Sequence, residues 1–101
     1  LENYWKDKIT DEDERIKFVF GSYNVGQGHV MDAIRLTEKF GKNPKKWDDV
    51  SFYLIQKSKS KFYNDPVVYF GYCRGTEPVN YVGDILNRYE QYKMVLGSES
   101  Q

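Results

Sequence analysis

Residues 22–30, with the sequence SYNVGQGHV, contain the side chains best suited to binding a ligand. They lie where an apolar helical pattern ends and a glycine-containing turn follows. Asn24 offers two donors and one acceptor, and Tyr23 offers a flat ring with a hydroxyl group. Such a pair suits a sugar, whose amide and hydroxyl groups lie beside apolar ring faces. Spacing alone favours a plainer interpretation, in which Asn24 caps the helix and Tyr23 is part of the core.

The other reactive side chains are isolated from one another in the sequence. His29 follows a glycine at a helix start, where a capping or solvent-facing role is expected, and a single His is not a zinc site. Cys73 has no activating base nearby and is expected to be buried and inert. Glu77 falls in the first turn of a predicted helix, where the helix dipole stabilises an acidic side chain by about 0.3–1 kcal/mol. We therefore expect neither a metal ion nor a cofactor.

Length and charge limit the classes of function. The 101 residues suffice for one domain with a modest core. Fifteen Lys and Arg residues balance fifteen Asp and Glu residues, so no long-range positive field is expected and nucleic acid is not an expected partner. No apolar run approaches the roughly 18 residues of a membrane span, and no signal peptide is visible. Because the chain begins with Leu1, we expect a processed chain or a piece of a longer protein, to which any membrane anchor would belong.

The hydrophobic spacing predicts the helices that position these side chains. A helical segment over residues 2–9 precedes a helix over residues 11–24, which Thr10 is expected to cap. The apolar stripe of the second helix is Ile16, Val19, Phe20 and Tyr23. Phe18 points the other way, which predicts a central helix covered on two sides.

Two further helices are predicted in the middle of the chain. The first covers residues 29–40 and ends at Gly41. Its inward residues are Val30, Ala33, Ile34, Thr37 and Phe40. The Asn43-Pro44 pair predicts the start of the second, which extends to about Lys57. Its buried residues are Trp47, Val50 and Leu54.

The last third of the chain combines an irregular stretch with a long helix. Residues 58–75 are the least regular part, and the spacing within residues 67–70 fits a short strand or a short helix. Thr76 is expected to cap a last helix whose stripe is Val82, Ile85, Leu86, Tyr89 and Leu96. On a helical wheel Tyr81 lies about 90° from the centre of that stripe and should border the core. With a flexible tail at residues 97–101, the fold class is all-α, with four to five short helices joined by loops.

Two sequence motifs, at residues 22–26 and 71–82, resemble those of the soluble lytic transglycosylase family, whose fold is related to goose-type lysozyme. They occur in the same order along the chain as in that family. Residues 22–26, SYNVG, resemble its alanine/serine-Tyr-Asn-x-Gly motif, and Gly28 and Val30 match the usual continuation. Residues 71–82, GYCRGTEPVNYV, resemble its last motif, a Glu followed by a Tyr-Val pair at the start of the closing helix. A similar Gly-Tyr-x-Arg-Gly-x-Glu segment is found in the membrane-bound transglycosylases of the F type. The resemblance covers residues 3–93, nearly the whole chain.

The resemblance implies the C-terminal part of a lysozyme-like domain that cuts peptidoglycan between N-acetylmuramic acid and N-acetylglucosamine. One Glu of the family protonates the leaving oxygen and then acts as a base toward the 6-hydroxyl of the sugar, which gives a 1,6-anhydro product. That Glu stands in a Glu-Ser pair upstream of the Tyr-Asn motif, with a Gly-Leu-Met-Gln motif between them. Neither occurs at that place here. The general acid is therefore expected upstream of residue 1, and this chain alone is expected to be inactive, with no catalytic residue of its own.

The same resemblance implies contact with the substrate for Tyr23, Asn24 and Tyr81. It implies structural roles within the motifs for Gly26, Gly28 and Glu77. Arg74 would pair with a core carboxylate or with a peptide stem of the substrate. The implied partner is the glycan strand of peptidoglycan, and the implied location is the bacterial cell envelope.

Two alternatives remain open beside a truncated enzyme. The chain could be a self-sufficient glycan-binding module that keeps the Tyr and Asn without the Glu, or a plain helical interaction domain. A truncated domain is expected to expose apolar surface around Trp5 and Phe18, and to dimerise through it. A natural small module is expected to bury both residues.

Overall fold

The computed structural model describes residues 2–99, and the side chains of residues 2–96. Within them the chain forms six helices and no strand, which confirms an all-α fold consistent with a fragment of a lysozyme-like domain. The six helices are α1 Glu2–Lys6, α2 Glu12–Val25, α3 Gln27–Lys39, α4 Trp47–Gln56, α5 Ser60–Tyr63 and α6 Thr76–Glu99. None of the described helices is both long and apolar enough to cross a membrane.

Helix α2 begins one residue later than the sequence suggested. Its cap is Asp11, whose carboxylate accepts a hydrogen bond from the backbone N–H of Glu14 at 3.0 Å. The prediction that Thr10 is the cap was wrong, because the cap position lies directly before Glu12, where the helix starts. Arg15 donates to the backbone oxygen of Ile9 at 3.2 Å and so joins the start of α2 to the segment after α1.

The buried face of α2 differs from the predicted stripe. Phe18, Gly21 and Ser22 are the buried residues, and Phe18 has no exposed surface. The four residues predicted to face inward are only half-buried or, in one case, exposed: Ile16, Val19, Phe20 and Tyr23. The reason is packing on the opposite side of the helix, where Gly21 lets the ring of Trp47 approach closely. A methyl group at position 21 would lie 2.5 Å from that ring.

Trp5 and Phe18 form the centre of the core instead of an exposed surface. Both are fully buried, and their ring centroids lie 5.4 Å apart. The indole N–H of Trp5 donates to the hydroxyl of Ser22 at 2.9 Å, and the ring of Phe18 meets the edge of Trp47 at 5.2 Å. The expected exposed surface around Trp5 and Phe18 is therefore wrong, because α1 folds back onto α2 and α4 closes the other side. Dimerisation stays a prediction.

Helices α3 and α4 pack against each other across the core. Helix α3 starts two residues earlier than predicted and ends before Gly41, whose φ of +75° explains the glycine at the helix end. Phe40, predicted to point inward, is 44% exposed, because its ring lies flat on Tyr53 at the surface, 5.5 Å between centroids. Helix α4 starts at Trp47, three residues after the predicted Pro44.

The start of α4 shifts because Asn43 forms a local turn. Its side-chain oxygen accepts from the backbone N–H of Lys45 at 2.9 Å, so the turn precedes the helix and does not cap it. The first N–H of the helix, that of Trp47, is instead satisfied by the carboxylate of Glu14 at 2.7 Å. The predicted buried stripe of this helix is confirmed for Trp47, Val50 and Leu54.

The last third of the chain contains one helix that the hydrophobic spacing did not predict and one helix that extends beyond the core. Helix α5 is the short unpredicted one, and residues 67–70 are neither strand nor helix. In α6 only Val82 of the predicted stripe is buried, while Tyr89 and Leu96 are exposed. A helix of 24 residues is about 36 Å long, so its far end extends past the other helices. The flexible tail stays a prediction, since the helix continues to Glu99 and residues 100–101 lie outside the described residues.

Candidate functional site

Tyr23 and Asn24 lie in the last turn of α2 with their side chains in solvent. Tyr23 is 75% exposed, and Asn24 is also exposed. The helix is ended by Gly26, whose N–H donates to the backbone oxygen of Ser22 at 2.7 Å. The plainer interpretation, with Asn24 as a cap and Tyr23 in the core, is therefore wrong. An exposed aromatic ring beside an exposed amide is available to contact a ligand.

The two glycines after this pair have different structural roles. Gly26 has φ of +96°, which favours glycine, and it lets α3 start directly after α2. Gly28 lies in the first turn of α3 beneath the ring of Phe70, and a methyl group there would lie 2.8 Å from that ring. The absent side chain therefore lets Phe70 lie against the corner between α2 and α3.

The remaining predicted residues lie on or beside α6. Tyr81 is half-buried and packs against the core, as its position on the helical wheel predicted, and α6 packs against α2. Glu77 and Arg74 are exposed at the start of the helix. Tyr23, Asn24, Gly26 and Gly28 thus share one corner. Tyr81 belongs to a helix packed on α2, at the edge of the core.

A buried carboxylate that the sequence analysis did not single out organises the region beside this corner. Asp32 of α3 has no exposed surface. It accepts hydrogen bonds from the ammonium group of Lys57 at 2.7 Å, from the backbone N–H groups of Tyr69 and Phe70 at 2.8 and 2.9 Å, and from Arg35. Burial opposes the charged form, but these donors outweigh it, so the pKa of Asp32 lies below its ordinary value.

Lys57, at the end of α4, is fully buried as well and contacts two groups of α3. Its ammonium group lies 2.7 Å from Asp32 and 2.7 Å from Nδ1 of His29. An ammonium group can only donate, so Nδ1 of His29 accepts and the ring hydrogen is on Nε2. Burial and the nearby ammonium group both lower the pKa of His29, which keeps the ring neutral at pH 7. The predicted capping or solvent-facing role for His29 is therefore corrected, because the ring is partly buried and bound to Lys57.

The segment from Asp65 to Tyr72, which we call the aromatic loop, runs along α3 in the opposite direction. Asp65 pairs with Lys39 near the end of α3, at 2.6 Å. One turn closer to the start of α3, Arg35 donates to the backbone oxygen of Val67 at 2.8 Å. Asp32 then accepts from the backbone N–H groups of Tyr69 and Phe70. The loop therefore ends at the start of α3, beside Gly28 and the corner that holds the Tyr-Asn pair.

The arrangement is suited to binding rather than to proton transfer. A general acid needs an accessible carboxyl with a raised pKa, whereas Asp32 is buried and its pKa is lowered. Cys73 is buried, as predicted, and burial raises the pKa of its thiol. No group of three or more His, Cys, Asp or Glu side chains suited to a metal ion occurs within the described residues.

One feature of the sequence could have revealed part of the buried network. Lys57 follows Leu54 by three residues, at the spacing of the buried residues of α4. Asp32 gave no such signal, because on a helical wheel it lies more than 90° from the centre of the predicted inward face of α3. A buried lysine needs a partner of opposite charge, but the sequence did not indicate that Asp32 is this partner or that the loop supplies backbone donors.

Comparison with known proteins shows clear relatives. The chain is 41% identical over 90 residues to a protein of Aeromonas hydrophila named membrane-bound lytic murein transglycosylase F, covering 89% of this chain and 18% of that protein. Proteins of the same name match from Shewanella frigidimarina, at 46% over 79 residues (78% of this chain, 16% of that protein), and from Pseudomonas fluorescens, at 41% over 90 residues (86% and 18%). The chain thus spans under a fifth of the length of these relatives. No protein-family model matches it.

Proposed function

Because the chain is homologous over most of its length to membrane-bound lytic murein transglycosylases, as the two motifs indicated, we propose that it is the glycan-contacting part of such an enzyme. The parent protein would cut peptidoglycan between N-acetylmuramic acid and N-acetylglucosamine with formation of the 1,6-anhydro product. The general acid, a Glu, would lie outside these 101 residues. The place of action would be the bacterial cell envelope.

The exposed Tyr-Asn pair at the end of α2 carries the proposal. A tyrosine ring that is 75% exposed is unexplained by packing, and it stands beside an amide that helix capping does not require. The ring would stack on a sugar, and the amide of Asn24 would hydrogen-bond its N-acetyl or hydroxyl groups. Tyr81 would reach the same strand from α6. These residues orient the glycan toward the Glu, and no residue of this chain transfers a proton in the proposed reaction.

A second candidate is a glycan-binding module without an enzymatic partner, and the closed core favours it. Trp5 and Phe18 are fully buried, and no buried side-chain nitrogen or oxygen within the described residues lacks a hydrogen-bond partner. A core closed in this way favours a chain that folds on its own. Both candidates need the same glycan contacts, and they differ in whether a Glu from elsewhere completes the site.

Digestion of purified peptidoglycan by the 101-residue chain tests the assignment of the acid. We expect no 1,6-anhydromuropeptide by mass spectrometry, because Asp32 is buried and charged and Glu77 lies exposed in a first helical turn. Anhydro product would contradict the proposal that the acid lies elsewhere. In that case Glu77 would be the first residue to replace.

A binding titration tests the glycan contact itself. Soluble peptide-free glycan strands should bind the chain, and Asn24→Ala should weaken the affinity roughly tenfold, since a lost hydrogen bond and its partner's desolvation amount to about 1–2 kcal/mol. Asn87→Ala, at an exposed position of α6, is the matched control and should bind as the wild type does. Equal binding by wild type and Asn24→Ala, or no binding by either, would reject the proposal and leave a plain helical interaction domain.

A further inference from the structure

The aromatic loop presents three exposed rings that the core does not use. Tyr69 is 72% exposed, Phe70 59% and Tyr72 58%. Exposed aromatic rings in such density are unusual for a surface loop, because each ring in water loses the stabilisation that burial would give. Tyr69 and Phe70 lie outside the two motifs at residues 22–30 and 71–82. A ligand contact would account for them.

The loop is held firmly enough to present its rings in fixed positions. Two consecutive backbone N–H groups, those of Tyr69 and Phe70, donate to the buried carboxylate of Asp32. Arg35 holds the backbone oxygen of Val67, and its guanidinium lies under the Tyr69 ring, 4.1 Å from the centroid. A rigid loop loses little conformational entropy on binding, which is the property of a built contact surface.

The position of the loop connects it to the Tyr-Asn corner. Asp65, Val67 and Phe70 meet successive turns of α3 from its end to its start, so the loop arrives beside Gly28. Phe70 packs over Gly28, which follows Asn24 by four residues in the sequence. The ring also lies 6.2 Å from the imidazole of His29. The rings of the loop therefore extend the surface that begins with Tyr23 and Asn24.

We propose that the aromatic loop is a second contact surface for the glycan strand, with Tyr69 and Phe70 stacking on sugar rings beyond the one at Tyr23 and Asn24. Asp32 is the positioning residue of this surface, acting through the backbone of the loop. The inference rests on the proposed function. It adds that the chain contacts a longer stretch of the glycan strand than the Tyr-Asn pair alone would contact. A polymer of sugar rings fits several separate aromatic rings better than a single small molecule does.

Titration with peptide-free glycan strands of defined length tests this surface. Tyr69→Ala and Phe70→Ala should each weaken binding of a long strand roughly fivefold, the order expected for the loss of one aromatic contact. Binding of a disaccharide should change less than twofold, because it occupies only the Tyr-Asn corner. Tyr92→Ala removes an equally exposed tyrosine from the far part of α6 and should leave both affinities unchanged.

The outcomes separate this inference from the proposed function. If Asn24→Ala weakens binding while Tyr69→Ala and Phe70→Ala do not, the glycan site stands and the aromatic loop is excluded from it. If no strand binds the wild type, both fail. Concentration-dependent self-association of the wild type that Tyr69→Ala abolishes would assign the rings to a second copy of the chain and overturn the inference. Should Phe70→Ala fail to fold, the result for Tyr69→Ala decides alone, since the Tyr69 ring is largely exposed and lies over Arg35 at the surface.

Discussion

Replacing Lys57 by Met removes the buried ammonium group that faces Asp32. The methionine side chain has nearly the same length and leaves no large cavity, so the change acts mainly through charge. Asp32 would keep Arg35 and two backbone donors but lose the fully buried counter-charge at 2.7 Å. Removing one partner of a buried ion pair destabilises a protein by about 3–5 kcal/mol. Because Arg35 remains, we expect a loss near the lower end, about 3 kcal/mol.

Urea unfolding followed by circular dichroism measures this loss. With an m-value on the order of 1.5 kcal/mol per M, the midpoint should fall by about 2 M. Lys59→Met is the matched control, because Lys59 is exposed two residues away, and a surface change of this kind stays within about 0.5 kcal/mol. In an Asp32→Asn background, Lys57→Met should be much less destabilising, since a neutral amide needs no counter-charge.

Either of two results would refute the reasoning about this network. A midpoint of Lys57→Met equal to that of Lys59→Met would mean that the ammonium group is solvated and contributes little. An equal effect of Lys57→Met in the wild-type and Asp32→Asn backgrounds would mean that the two charges are not coupled. The network would then not hold the aromatic loop as described.

Three further predictions concern other parts of the core. Ser22→Ala leaves the buried indole N–H of Trp5 without its acceptor and should lower the unfolding free energy by about 1–3 kcal/mol, measured in urea. Because the pKa of His29 is lowered in the folded chain, this ring takes up a proton at higher pH in the unfolded chain than in the folded chain. The free energy of unfolding should therefore fall as pH drops from 7 toward 5. His29→Asn, which does not titrate, should show a flatter profile, and an identical profile would contradict this. Gly75→Ala forces a methyl group against the backbone of α4 and should prevent stable folding, whereas Gly83→Ala meets nothing within 4 Å and should raise the thermal midpoint.

The sequence indicated the helices of the core well because their apolar residues recur at helical spacing. Trp47, Val50 and Leu54 were predicted as one buried face, and the helix they mark is present. The buried face of α2 was not predictable in the same way. Its burial depends on Gly21 and Ser22, whose small side chains carry no hydrophobic signal, although one admits Trp47 and the other binds Trp5.

The candidate site was predictable only in part. The Tyr23–Asn24 pair stood out because its motif is local in sequence and resembles a known family. The aromatic loop did not, since its course along α3 depends on contacts over more than thirty residues, such as Asp32 with Tyr69. Periodicity within four residues could not assign residues 67–70, and they have no regular structure because side chains satisfy their backbone groups.

The most direct test of the account is a chemical-shift map of the 101-residue chain titrated with peptide-free peptidoglycan strands. We expect saturable shifts of the backbone amides of Tyr23 and Asn24, continuing into Tyr69 and Phe70, with no change at Tyr92 on the far part of α6. Absence of saturable shifts at Tyr23 and Asn24, or shifts confined to the exposed end of α6, would contradict the assignment of this corner as a glycan site.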